Sequence, residues 1–197
     1  MKAFLPLVVL ALLSACTTTP PIHYHSLLST STDARPREAI GLPPLPVDLA
    51  PVRVPGAVDQ PQWVVRMPDD TLRMLEGEQW VSPLRDELGA ALFERLAQRY
   101  AAVDARTLPG QPAVRVRVDV QRFESIAGKE VWLDSVWSAH GEADKAPRLM
   151  CRSSVREPAG GDLKALADAH RRAVVRLADE IGAQLLALAN GAGVRCP

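Results

Sequence analysis

The chain has no surplus of positive charge. Its 23 Lys and Arg are matched by 23 Asp and Glu, so nothing is available to neutralise a phosphate backbone and nucleic acid is excluded as a partner. It also lacks a run long enough to stay in a membrane. The apolar stretch from Phe4 to Leu13 is about half of the roughly twenty residues that a spanning helix needs. Cysteines are scarce, three in 197 residues, too few for a disulfide-built scaffold. No Gly-x-Ser-x-Gly elbow, His-Glu-x-x-His helix or phosphate-cradling loop occurs. The sequence therefore offers no constellation for an esterase, a zinc protease or a nucleotide hydrolase.

What the chain does have begins at "LLSACTTTPP", residues 12 to 21. Lys2 and the run Phe4–Leu13 have the dimensions of a secretory signal. Ser14 and Ala15 are small enough for a peptidase pocket, and Cys16 follows directly. Leu13-Ser14-Ala15-Cys16 is the pattern of a bacterial lipoprotein signal. The Cys16 sulfur can carry a diacylglyceryl group, cleavage removes residues 1–15, and the freed amine can take a further acyl chain. Several chains on one residue anchor stably where a single chain binds marginally. Thr17, rather than aspartate, follows the cysteine, and under enterobacteria-like sorting that directs the protein to the outer membrane. Only Lys2 is lost with the signal, which leaves 22 basic against 23 acidic side chains on the mature chain. What remains, from Cys16 to Pro197, is long enough for one domain with a real core.

Residues 16–21 read as a tether stiffened by Pro20 and Pro21, and 22–197 as a single domain. Ile22–Leu28 suits a first strand. Seven prolines between Pro36 and Pro61 exclude a long helix there. An extended piece around Leu49–Val54 then belongs at a sheet edge. Trp63–Met67 and Thr71–Glu76 flank Pro68-Asp69-Asp70 as a hairpin. Ser82 as cap and Pro83 at the first helical position open a helix whose apolar side runs Leu84, Leu88, Ala91, Leu92, Leu96, Tyr100 and Val103. Val81 beside Trp80 holds the staple position at its entry. Val114, Val116, Val118 and Val120 alternate with Arg115, Arg117, Asp119 and Gln121, a strand with one wet face. Val131–Ala139 and Pro147–Val155 read as further strands. A long helix from about Leu163 carries Leu166, Val174, Leu177, Ile181, Leu185 and Leu188 on one stripe and stops at Asn190-Gly191. This order argues an α+β two-layer sandwich, a mixed or antiparallel sheet with two main helices packed on one face.

The stretches "VDQPQWVVR" (58–66), "EQWVSPL" (78–84), "VDVQRFE" (118–124), "VWLDSVW" (131–137) and "ADAHRRAVVRLADEI" (167–181), in this order behind a lipoprotein signal, resemble the ABC-type transport auxiliary lipoproteins, the PqiC-like family. The motif positions are Pro61, Gln62, Trp80, Pro83, Leu84 and Trp137. The family often has arginine before the Pro-Gln pair, where this chain has Gln60, so any ion pair made by that arginine is absent here. The resemblance implies work with an MCE-domain periplasmic protein and its permease, which move lipid between two membranes. It implies a docking piece on the periplasmic face of the outer membrane, with self-association left open and no cofactor.

Other candidates read more blandly. His23 and His25 alternate on a strand, but two imidazoles without a third ligand make a weak metal site, and no metal is assigned. His170 lies on the apolar stripe of the last helix, where a packed, hydrogen-bonded side chain is the better reading than a base. "PAGGD" (158–162) lacks the Lys-Ser/Thr of a phosphate loop. Cys151, beside Arg152, suits a disulfide with Cys196 in an oxidising compartment better than an activated thiol. Trp80 and either Trp132 or Trp137 fit core packing better than a lipid-handling surface. Three classes stay open: an auxiliary docking lipoprotein, a module that holds an acyl chain in its own cleft, and a periplasmic enzyme of unrecognised type. A cleft lined by apolar side chains would favour the second, and convergent polar groups the third.

Overall fold

The computed structural model describes residues 21–28, 41–141, 148–193, 195 and 196. The signal, Cys16, the tether up to Pro20 and the start of the proline-rich segment lie outside them. The elements run β1 (His23–His25), β2 (Leu45–Leu49), β3 (Gln62–Arg66), β4 (Leu72–Trp80), α1 (Leu84–Tyr100), β5 (Ala102–Asp104), β6 (Val114–Ile126), β7 (Glu130–Gly141), β8 (Arg148–Pro158) and α2 (Leu163–Ala189). All eight strands join one open mixed sheet. Antiparallel β6, β7 and β8 are its long centre and one edge, while β1 pairs parallel with β4 and β2 pairs parallel with β5 and β6. The two helices pack together and cover one face, α2 over β6, β7 and β8, and α1 against β5 and β2. The expected α+β two-layer sandwich with two helices on one face is the observed architecture.

The alternation in β6 and β8 sorts their side chains as expected. Val114, Val116, Val118, Val120, Leu149, Cys151 and Val155 are buried under the helices. β6 carries a bulge between Val120 and Arg122. It flips the inward set from even to odd positions, so Phe123 and Ser125 are the buried residues beyond it. The last helix buries Leu166, Val174, Leu177, Ile181 and Leu185, and Asp162 caps it by accepting from the Ala165 N–H. At a rise of roughly 1.5 Å per residue, a helix of this length spans about 40 Å, long enough to cross the central strands.

Three local expectations are corrected. Ser82 does not cap α1; Pro83 occupies the cap position with extended backbone, and no side chain bonds the helix start. The Ser82 hydroxyl donates instead to Glu87 Oε1 at 2.8 Å. The helix also ends earlier than its apolar spacing suggests. Ala101 turns left-handed at φ 54°, its N–H meets the Leu96 carbonyl, and Val103 falls in β5. Finally, the proline-rich segment gives more than the edge piece expected at Leu49–Val54: it begins with an interior strand, since β2 lies between β5 and β6, pairing with β5 over Leu45–Val47. Pro46 pairs with Val103 of β5 but precedes the β6 ladder, which starts at Val47, so its missing N–H costs that ladder nothing. The stretch beyond β2 continues along β6, with Arg53 N–H donating to the Val118 carbonyl at 3.2 Å.

Candidate functional site

Five of the six motif positions converge where β3, β4 and α1 meet. Gln62 pairs with Gln79, and the Trp80 N–H donates to the Pro61 carbonyl at 2.9 Å. Pro83 follows at the helix entry, its carbonyl accepting from the amides of Asp86 and Glu87, and Leu84 is fully buried. A cleft of about 340 Å³ opens here between Tyr24, Gln60, Pro61, Trp80, Val81 and Pro83. Among the described residues Gln60 reaches only the Ala57 carbonyl, at 3.4 Å, whereas Asp59 accepts from Arg85 at 2.7 Å. Trp137 lies elsewhere. It is buried in β7 opposite Cys151, its indole N–H donating to Ser153 at 2.9 Å.

Behind the cleft is an aromatic cluster. Trp63 and Trp80 rings lie 4.8 Å apart, and His25 meets the Trp63 ring edge-on at 4.8 Å. Phe123 stacks on His170 with centroids 4.1 Å apart. His170 is fully buried, and Ser125 Oγ lies 2.7 Å from its Nε2 while accepting from Trp63 Nε1 at 2.8 Å. Burial pushes the His170 imidazole down to about 3, so it is neutral in the fold. A serine hydroxyl beside a histidine has the distances of a nucleophile and its base. This pair has no opening to a substrate, and His170 Nδ1 finds no hydrogen-bond partner among the described residues, so no third group there supports the ring as a base. It is a packed core histidine.

His23 and His25 share one partner. His23 Nδ1 lies 3.0 Å from Glu78 Oε1, and His25 Nε2 lies 2.6 Å from Glu78 Oε2. Burial opposes ionisation of Glu78, but the hydrogen bonds from His25 and His23 outweigh it and hold the carboxyl below its ordinary range. Each imidazole takes a separate oxygen. Among the described residues no group of three or more such side chains could hold a metal ion.

Sequence reasoning missed Glu87. This carboxylate is buried in α1, and its Oε2 accepts from the Ser26 hydroxyl and the Leu27 N–H, both at 2.8 Å. With Ser82 on Oε1 it has three donors, and Arg171 of α2 donates to the Ser26 carbonyl at 3.0 Å. The chain leaving β1 is thereby tied to both helices. The acidic first turn of α1 is visible in the sequence, yet nothing local distinguishes the inward-turned Glu87 from the exposed Asp86.

Val81 is exposed and makes no staple, whereas Trp80 is core. Trp132 lies on the face away from the helices, between the guanidinium groups of Arg122 and Arg156 at 3.8 and 3.7 Å from its ring centre, close enough for cation–π attraction on both sides. Cys151 and Cys196 are joined as a disulfide with Cα atoms 5.3 Å apart. The glycines of 158–162 form a plain loop, in which Gly160 accepts from the Gly128 N–H. Two larger clefts, of about 550 and 660 Å³, have mixed linings: Arg95, Glu157, Asp168 and Arg172 stand with Leu27, Val174 and Val175 in one, and Asp48, Asp104, Arg106 and Arg115 with Val47, Leu49 and Phe93 in the other. Neither is lined by apolar side chains alone.

A family model described as the ABC-type transport auxiliary lipoprotein component matches residues 26–182. The chain belongs to this family. Among solved structures, an uncharacterised protein is 15% identical with a TM-score of 0.66, covering 84% of this chain and 99% of its own. A protein from Xanthomonas campestris, described as of family DUF330, is 18% identical with a TM-score of 0.62, covering 86% and 97%. At these identities the likeness is one of fold. No curated protein matches the sequence. As an ABC-type transport auxiliary lipoprotein the chain falls among transport components, not in a known enzyme family. Among the described residues no helix is long and apolar enough to cross a membrane.

Proposed function

We propose that the chain is an outer-membrane lipoprotein that docks an MCE-type intermembrane lipid transport system. Residues 1–15 are removed, Cys16 carries the acyl chains, and the folded domain faces the periplasm. There it binds an MCE-domain protein whose permease lies in the other membrane. It turns over no substrate. The observation that carries this reading is the coincidence of the Leu13-Ser14-Ala15-Cys16 signal with a transport-auxiliary domain matched over residues 26–182. The charged side chains among the linings of the larger clefts, whose burial under an acyl chain would be costly, favour a docking role over storage of lipid. Pull-down from detergent-solubilised membranes tests it, and the lipoprotein should co-purify with its MCE protein. Failure to co-purify, together with a hydrolase activity that one point substitution removes, would overturn the proposal.

A further inference from the structure

Eight large apolar side chains are exposed among the described residues, and five of them lie along β1 and β4, the strands at one corner of the sheet. Leu72 and Met74 lie toward one end of β4, and Ile22, Tyr24 and Val81 toward the other. Their common face follows from register. His23 and His25 turn toward Glu78 and the buried tryptophans, so the alternating Ile22 and Tyr24 point to the side without helices. Met74 pairs with Val64 and Leu72 with Arg66, and these alternate with the buried Trp63 and Val65. Leu72 also walls a shallow cleft of about 320 Å³ with Pro55, Ala57, Val58 and Val64. Scattered exposed hydrophobes need no explanation, but a grouped set on one face does.

The chain itself says what meets this corner. The carbonyl of Pro21 lies against Gly77 of β4, the strand that carries Leu72 and Met74; a Cβ built on Gly77 would be 3.5 Å from it. Gly77 is three positions beyond Met74, at most about 10 Å away even along a fully extended strand. Five peptide links join Cys16 to Pro21, a reach of at most roughly 18 Å. An acyl group on Cys16 therefore holds the corner close to the lipid surface that the group enters. Tyr24 has the amphipathic form favoured at such an interface, and Glu76, exposed in β4, limits the depth to the headgroup layer. We propose that this corner of the sheet rests on the bilayer beside the acyl anchor, setting the domain in one orientation with its helices turned away. This rests on the anchoring of Cys16 proposed above.

Nitroxide labels on the full-length lipidated protein decide it. Met74→Cys reports the corner, with Tyr24→Cys as a second reporter. Val175→Cys reports an exposed apolar site on α2, on the helix side. The protein is reconstituted in vesicles of phosphatidylethanolamine and phosphatidylglycerol, and Cys16→Ser protein in buffer is the reference. The labels at 74 and 24 should lose most of their accessibility to a water-soluble nickel relaxant and gain it to oxygen, while the label at 175 stays unchanged. Vesicle-bound protein with label 74 as wet as label 175 would overturn the proposal and leave the anchor standing. Protein that does not float with vesicles would overturn the anchor and this proposal with it. Protection of residue 74 in the Cys16→Ser protein, rising with concentration, would assign the corner to a second copy of the chain and overturn it as well.

Discussion

Lowering the pH from 7 to 5 should cost the fold about 2 kcal/mol of stability through the buried His170 alone. Its imidazole titrates at about 3 in the fold against 6.5 in the open chain. In this interval the unfolded state binds a proton that the folded state refuses, so stability falls as pH is lowered through 6.5 and the loss levels off only near 3. At pH 5 the open-chain histidine is almost fully charged and the folded one almost fully neutral. The size of the loss then depends on the open-chain value alone, at ~1.36 kcal/mol per pH unit below it. Glu78 and Asp168 act in the same direction but at lower pH. Each is held below its ordinary value of 4.5 or 3.8, so their contributions are lost only at lower pH, outside this window. Urea unfolding of the Cys16→Ser protein at the two pH values measures the difference, and the melting temperature should drop by roughly 4–8 °C. In His170→Gln the pH-dependent loss should shrink by about 2 kcal/mol, whatever the variant costs at pH 7. Equal losses in the two proteins would refute the reasoning.

Leu177→Ala should cost ~2–5 kcal/mol in denaturant unfolding, because Leu177 is wholly buried in α2. Arg176→Ala should cost less than about 1 kcal/mol, since it removes only a half-exposed pair with Glu157. Gly182→Ala should destabilise by about 1–3 kcal/mol, because the new methyl would sit 2.3 Å from the Tyr100 ring and force the helices apart. Non-reducing peptide mapping of periplasmic material should recover Cys151 and Cys196 in one linked peptide, and two freely alkylated thiols would contradict it. Mass spectrometry of membrane-extracted protein should find an acylated Cys16 at the N-terminus, whereas an intact residue 1 or an unmodified Cys16 would count against the lipoprotein signal.

Most of the fold was legible where one period ran uninterrupted. The valines of β6 and the leucine stripe of α2 each mark a face without help from the rest of the chain. Legibility failed where tertiary contacts override local preference. Val103 continues the helical spacing of α1, yet pairing with β2 draws it into a strand as soon as Ala101 breaks the helix. Seven prolines argue for an edge, but β2 places Pro46 at the one register where a missing donor is harmless. The site shows the same division. Pro61, Trp80 and Pro83 belong to quotable motifs, whereas Glu87 works through partners 60 and 61 residues away that no local pattern connects to it.

Those partners have a mechanical meaning once the N-terminus is held by lipid. Any pull between the membrane and a docked transport protein enters the domain at Pro21. β1 alone would resist poorly, since it is an outer strand with three residue pairs. Glu87 and Arg171 grip the two residues that follow it, Ser26 and Leu27. Tension is thus handed from the sheet margin to both helices before the strand can peel. An acyl-anchored domain built this way behaves under load as one body with a reinforced root, and Glu87→Ala should lower the force at which it tears loose before it changes anything about partner recognition.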